Sequence, residues 1–147
     1  MSHWRAGQRI TVAKLAVDTA QVEDTTSRTT TTTASYGNTT TGGAFSTTVT
    51  VPASGQVIVS IRSTQRNSGA TNTITSWNAS GSTSGSVYTA NDNAALIVTG
   101  TSNISVDLTH RLTGLTPGET LTVTMVHKVS GGTGTFDYRN ILLQGCP

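Results

Sequence analysis

The run Asn103-Ile104-Ser105-Val106-Asp107-Leu108-Thr109-His110-Arg111-Leu112 alternates strongly. Ile104, Val106, Leu108, His110 and Leu112 fall on one side; Ser105, Asp107, Thr109 and Arg111 fall on the other. Successive side chains of a strand point to opposite faces, so the run reads as a half-buried β-strand. Thr113-Gly114-Leu115-Thr116-Pro117-Gly118 then turns the chain. Leu121, Val123, Met125, His127 and Val129 repeat the alternation. Val129-Ser130-Gly131-Gly132-Thr133-Gly134-Thr135-Phe136 passes through a glycine-rich loop into a last strand, Phe136 to Gln144.

The same pattern extends upstream. Strands are predicted over Phe45 to Val51, Gln56 to Ser63, Ala70 to Ala79, Val87-Tyr88 and Ala94 to Val98. Turns over Pro52–Gly55, Arg66–Gly69, Ser80–Gly85 and Asn91–Asn93 separate them. A threonine run from Ser27 to Tyr36 is stiff and extended, and reads as a polar edge strand. About eight or nine antiparallel strands at close spacing predict an all-β sandwich of jelly-roll type. No helical pattern lies between them, which argues against a parallel α/β sheet. The predicted hairpin around Thr116-Pro117 sets His110 and His127 on one apolar face of adjacent strands.

Composition agrees. The 147 residues include 31 Thr and 16 Ser, with only 34% hydrophobic and 11% charged residues. Threonine suits a pleated, half-wet surface, and the length suffices for one domain with a core. The net charge of +2 comes from scattered basic residues. No cluster is fit to neutralise several phosphates, so nucleic acid is not an expected partner. Cys146 is the only cysteine, which excludes an intramolecular disulfide. No apolar run approaches a membrane-spanning length. Met1-Ser2-His3-Trp4-Arg5 is not followed by a signal-peptide pattern, and synthesis in the cytoplasm is expected.

Residues 1–27 differ from the rest and read as an N-terminal arm ahead of a sandwich domain over 28–147. Thr11 would cap a short helix whose apolar side is Ile10, Val12, Leu15 and Ala16. Such a helix is marginal alone. Trp4, Arg9, Ile10 and Leu15 are the candidate anchoring residues of this arm.

Catalytic patterns are weak. There is no G-x-S-x-G elbow. Asp92, Asp107, Glu119 and Asp137 sit in turns or on polar faces, where solvation explains them. In a hairpin, His110 and His127 would stand about four residue pairs apart, too far to share a metal. They read as semi-buried, hydrogen-bonded histidines or, in a symmetric oligomer, as rings around the axis. Asn91-Asp92-Asn93 resembles part of a calcium loop but lacks its ligand count and closing Glu. Gly131–Gly134 opens no helix and is no phosphate cradle. No metal and no cofactor is expected.

Several segments together resemble a known family. Trp4-Arg5-Ala6-Gly7-Gln8-Arg9-Ile10-Thr11-Val12-Ala13-Lys14-Leu15 resembles the start of minor tail and fibre-type virion proteins of phages that infect actinobacteria. Ser27–Thr31, Val49–Gly55, Leu112–Gly118 and Val129–Phe136 with Arg139 resemble a small β-domain of the same proteins. The resemblance implies a non-enzymatic structural protein of the virion surface, made in the host cytoplasm and bound to other virion proteins of tail or capsid. It implies a homotrimer and no membrane insertion, and transfers no catalytic residue. The chain departs from the family in ending Gly145-Cys146-Pro147 and in lacking a collagen-like or coiled-coil shaft, which suits a compact knob. Loops carrying Arg66, Asn67, Ser82, Asn91 and Asp92 are the candidate contacts to a host-surface glycan. A capsid decoration protein is the alternative within the same class; a glycan hydrolase or lectin domain is the alternative outside it.

Overall fold

The computed structural model describes residues 17–31 and 35–147. Two antiparallel sheets pack face to face. In chain order the strands are β1 (Thr19–Asp24), β2 (Arg28–Thr30), β3 (Phe45–Thr50), β4 (Val57–Asn67), β5 (Asn72–Gly81), β6 (Gly85–Tyr88), β7 (Leu96–Thr99), β8 (Ile104–Leu112), β9 (Thr120–Val129) and β10 (Gly134–Gly145). The front sheet has the order β1-β10-β4-β8, with β2 also on β10; the back sheet has the order β3-β9-β5-β6, with β7 also on β5. The all-β sandwich expected from the alternation is the observed fold.

The alternation explains which side of each strand is dry. Val57, Val59 and Ile61 of β4 and Ile141 and Leu143 of β10 point inward and are fully buried. Leu121, Val123 and Met125 of β9 meet them from the back sheet, with Trp77 of β5 in the same cluster. Each such side chain contributes about 1.5–3 kcal/mol on leaving water. Gly55 shows where the turns are pinned. Its φ of +68° suits glycine, and a Cβ there would stand 2.7 Å from the Leu115 carbonyl oxygen.

Two expectations are corrected. Residues 19–24, read from the sequence as part of an arm, form β1 of the front sheet, pairing Thr19–Asp24 with Gln144–Arg139. Ala20 and Val22 pack on the core. Two small or β-branched residues in a polar stretch are a weak signal, and β10 supplies the pairing that propensity does not. Trp4, Arg9, Ile10 and Leu15, and the helix proposed around them, lie outside the described residues.

The second correction concerns β8 and β9, which do not form a hairpin. β8 pairs with β4 in the front sheet and β9 with β3 and β5 in the back sheet. The 113–119 turn carries the chain across the sandwich. His110 therefore lies opposite Val59, and His127 opposite Thr75. A turn signal marks a change of direction without stating which sheet receives the next strand.

Neighbours on β10 test the register. Leu143 is sealed inside, whereas Leu142 is 38% exposed on the outer face. Leu143→Ala should cost about 2–5 kcal/mol in urea unfolding, and Leu142→Ala less than about 1 kcal/mol. Equal losses would overturn the assignment of faces.

Candidate functional site

The five loop residues predicted to contact a ligand do not converge. Arg66 closes β4 near one end of the sandwich, with Nη1 2.6 Å from Asp137 and 2.8 Å from Asn103 Oδ1. Asn67 is buried, and its amide donates to the backbone oxygens of Asn72 and Gly131. Ser82 lies beyond the far end of β5, where its Oγ accepts from Thr120 N. Ten residues of β5 separate the two ends, about 30 Å at strand rise. Asn91 and Asp92 alone come together, on the outer face of the back sheet.

There the 89–95 segment folds back over the strands. Asn91 caps a short 3-10 turn (Asp92–Ala94), accepting from the Asn93 and Ala94 amides at 3.1 Å each. Its Nδ2 donates to Tyr88 Oη and the Thr89 carbonyl. Asn78 Oδ1 accepts from Ala90 N at 2.8 Å, and Ser76 Oγ donates to the Ala94 carbonyl. The loop is thus tied to β5 at several points.

A cleft of about 550 Å³ opens beneath this loop, lined among others by Tyr36, Asn78, Asn91, Asp92, Asn93 and Lys128. Tyr36 Oη donates to Asp92 Oδ1 at 2.6 Å. Lys128 Nζ lies 2.7 Å from the same carboxylate and 4.5 Å from the Tyr36 ring centroid, a cation–π contact. The hydrogen bond from Lys128, then that from Tyr36, holds the Asp92 carboxyl below its ordinary range. Burial, then the hydrogen bond to Asp92, pushes the Tyr36 phenol up. Around neutral pH the carboxylate, phenol and ammonium are one neutralised unit. Tyr36, Asn78 and Lys128 escaped sequence reading because they come from distant segments. In a chain with 5% aromatic residues, a tyrosine ending a threonine run was the available signal.

The histidines occupy different surroundings. His110, half-buried at the sandwich edge, leans on Tyr88 and on Trp77, whose rings stack with centroids 3.8 Å apart. His127 is fully buried against Phe136. Arg139 Nη1 donates to His127 Nε2 at 3.2 Å. Arginine is only a donor, so Nδ1 carries the proton, and it donates to Thr75 Oγ1 at 2.9 Å. Thr75 donates to Gln65 Oε1 at 2.8 Å, and Gln65 Nε2 donates to the Thr73 and Leu96 carbonyls. Behind Arg139, Asp24 accepts at 2.5 Å and also holds Arg28 at 3.0 Å. Every donor and acceptor role in this relay suits a neutral imidazole. Burial, then the Arg139 charge, depresses the His127 pKa well below 6.5.

Glu119 is structural. Its carboxylate accepts from the Ser84, Thr83 and Thr116 amides and the Ser84 hydroxyl. These bonds, the Ser84 amide first, lower its pKa against the effect of burial.

No protein-family model and no curated protein matches the chain. Solved structures of similar shape exist at low identity. A xylan-binding domain from Paenibacillus barcinonensis is 13% identical, with a TM-score of 0.40 over 90% of this chain and 96% of that one. A family 35 carbohydrate binding module from Clostridium thermocellum is 16% identical, with a TM-score of 0.36 over 82% and 90%. The pili of Bacillus endospore appendages are 16% identical, with a TM-score of 0.34 over 99% and 98%.

Two predictions follow from the relay. The unfolded chain binds a proton at His127 as pH falls through about 6.5, and the folded chain does not. That part of the stability is complete above pH 6.5 and declines below it. Urea midpoints between pH 4.5 and 8 should show this slope, and His127→Gln should flatten it. Removing Asp24 strands a buried guanidinium. Asp24→Asn should cost about 3–5 kcal/mol, and a loss below about 1 kcal/mol would show that the pair contributes little.

Proposed function

We propose that this chain is a non-catalytic β-sandwich module of a virion surface, of tail or fibre type, that holds a host-surface glycan in the cleft over its back sheet. The cleft carries the ligand reading. The planar amides of Asn78 and Asn93 and the Asp92 carboxylate are of the kind that pair with neighbouring hydroxyls, and the Tyr36 ring offers an apolar face beside them. Asn78, Asp92 and Tyr36 are held by hydrogen bonds before any ligand arrives, which lowers the entropy cost of binding. Lys128 neutralises Asp92, so the site favours a neutral, polyhydroxylated ligand over a strongly charged one. The virion assignment rests on the order of family-like motifs along the chain. Four acids of the sandwich are engaged by the fold itself: Asp24, Asp92 and Asp137 are in ion pairs, and Glu119 serves as an acceptor for backbone amides.

Backbone amide shifts of the full chain should be recorded against neutral oligosaccharides derived from host cell walls. Shifts should cluster at Asn78, Thr89–Asn93 and Lys128, and Tyr36→Ala should weaken binding at least about tenfold, as for loss of a stacked ring with its polar tip. Shifts elsewhere, or none, would sink the ligand reading. Antibody–gold labelling of intact particles tests the location separately. Label at the tail supports the proposal, label over the head makes the chain a decoration protein, and unlabelled particles remove the virion reading.

A further inference from the structure

The sheet edges differ in how they are protected. One edge of the front sheet is divided between β1 and β2, which are six and three residues long. The back sheet ends in β3, of six residues, and in β6 and β7, of four residues each. β8, with nine residues, is the longest unbroken edge among the described residues, and its register against β4 has no bulge. It contains neither proline nor lysine, two of the devices that block pairing with another chain.

Its side chains are incompletely covered. Val106, Leu108 and His110 point inward yet are only half-buried, and Ile104 is 43% exposed. On the outer face, Asp107 and Arg111 are exposed, four positions apart and of opposite sign. Among the described residues neither makes an ion pair.

We infer that β8 is a dimerisation edge, pairing antiparallel with β8 of a second copy about a two-fold axis at Thr109. In that register Asp107 of each copy faces Arg111 of the other, closing two ion pairs. Val106 faces Leu112 and Leu108 faces His110, which extends cover over the half-buried inner side chains. Thr109 faces itself. The seam is isologous and closes at two copies, in place of the three that the family resemblance implies. It joins the two front sheets into one continuous sheet. The shallow outer groove lined by Ser60, Arg62, Asp107, Thr109, Asn140 and Leu142 then borders the seam on both sides.

Sedimentation equilibrium of the full chain tests this. The wild type should fit a monomer–dimer equilibrium. Arg111→Glu sets like charges opposite each other at both ends of the seam and should weaken the dimer about tenfold or more. Asp107→Arg combined with Arg111→Asp restores opposite charges in the same register and should restore the dimer. Thermal melts should show all variants folded. A monomer at every concentration, a trimer, or a dimer indifferent to Arg111→Glu would overturn the inference.

Discussion

The sandwich depends on one buried cation. Arg139 is 2% exposed, and its guanidinium must find partners or be expelled. Asp24 on β1 neutralises it from the same sheet, and His127 on β9 accepts from it across the interlayer space. Thr75 on β5 and Gln65 on β4 continue the chain of bonds back to the front sheet. One relay therefore ties the two sheets and fixes their relative register. A slip of one residue would turn Arg139 outward and leave His127 without a donor.

The interlayer space is accordingly divided. Toward the Val57 and Leu121 end it is apolar and gains stability through burial. Toward the Asn67 and Gly131 end it holds Gln65, Thr73, Thr75 and His127, whose worth lies in directed hydrogen bonds. A low dielectric strengthens such bonds when they are satisfied and penalises any broken one. This end is thus the more sensitive to acid, and the opposite end to loss of volume. The cleft draws on the same framework: Lys128 follows His127 on β9 and points to the outer face, where it meets Asp92 and Tyr36.

Much of the fold was legible because period-two alternation survives in nearly every strand. The predicted boundaries of β3, β7, β8, β9 and β10 lie within about two residues of the observed ones, the usual scatter of strand ends. β1 was not legible, since Thr19–Asp24 carries little apolar signal and is a strand by virtue of β10. Of the cleft, Asn91 and Asp92 were legible as a turn with a polar tip. Tyr36, Asn78 and Lys128 were not, because each is unremarkable in its own segment and acquires a role through distant neighbours.

The sequence by itself determined that this is an all-β chain with alternating dry and wet faces, polar turns and a low charge. These are local properties, set by side-chain direction and turn chemistry. Only the tertiary structure decided which strands share a sheet, that β8 and β9 part across the sandwich, and that His110 and His127 have unrelated surroundings. It also decided that Arg139 is a core residue and that Tyr36 meets Asp92 across 56 positions of chain. The physical reason is that strand pairing is non-local. Backbone hydrogen bonds are the same for every partner, so the choice among partners falls to packing and buried polar matches that appear when the sheets close.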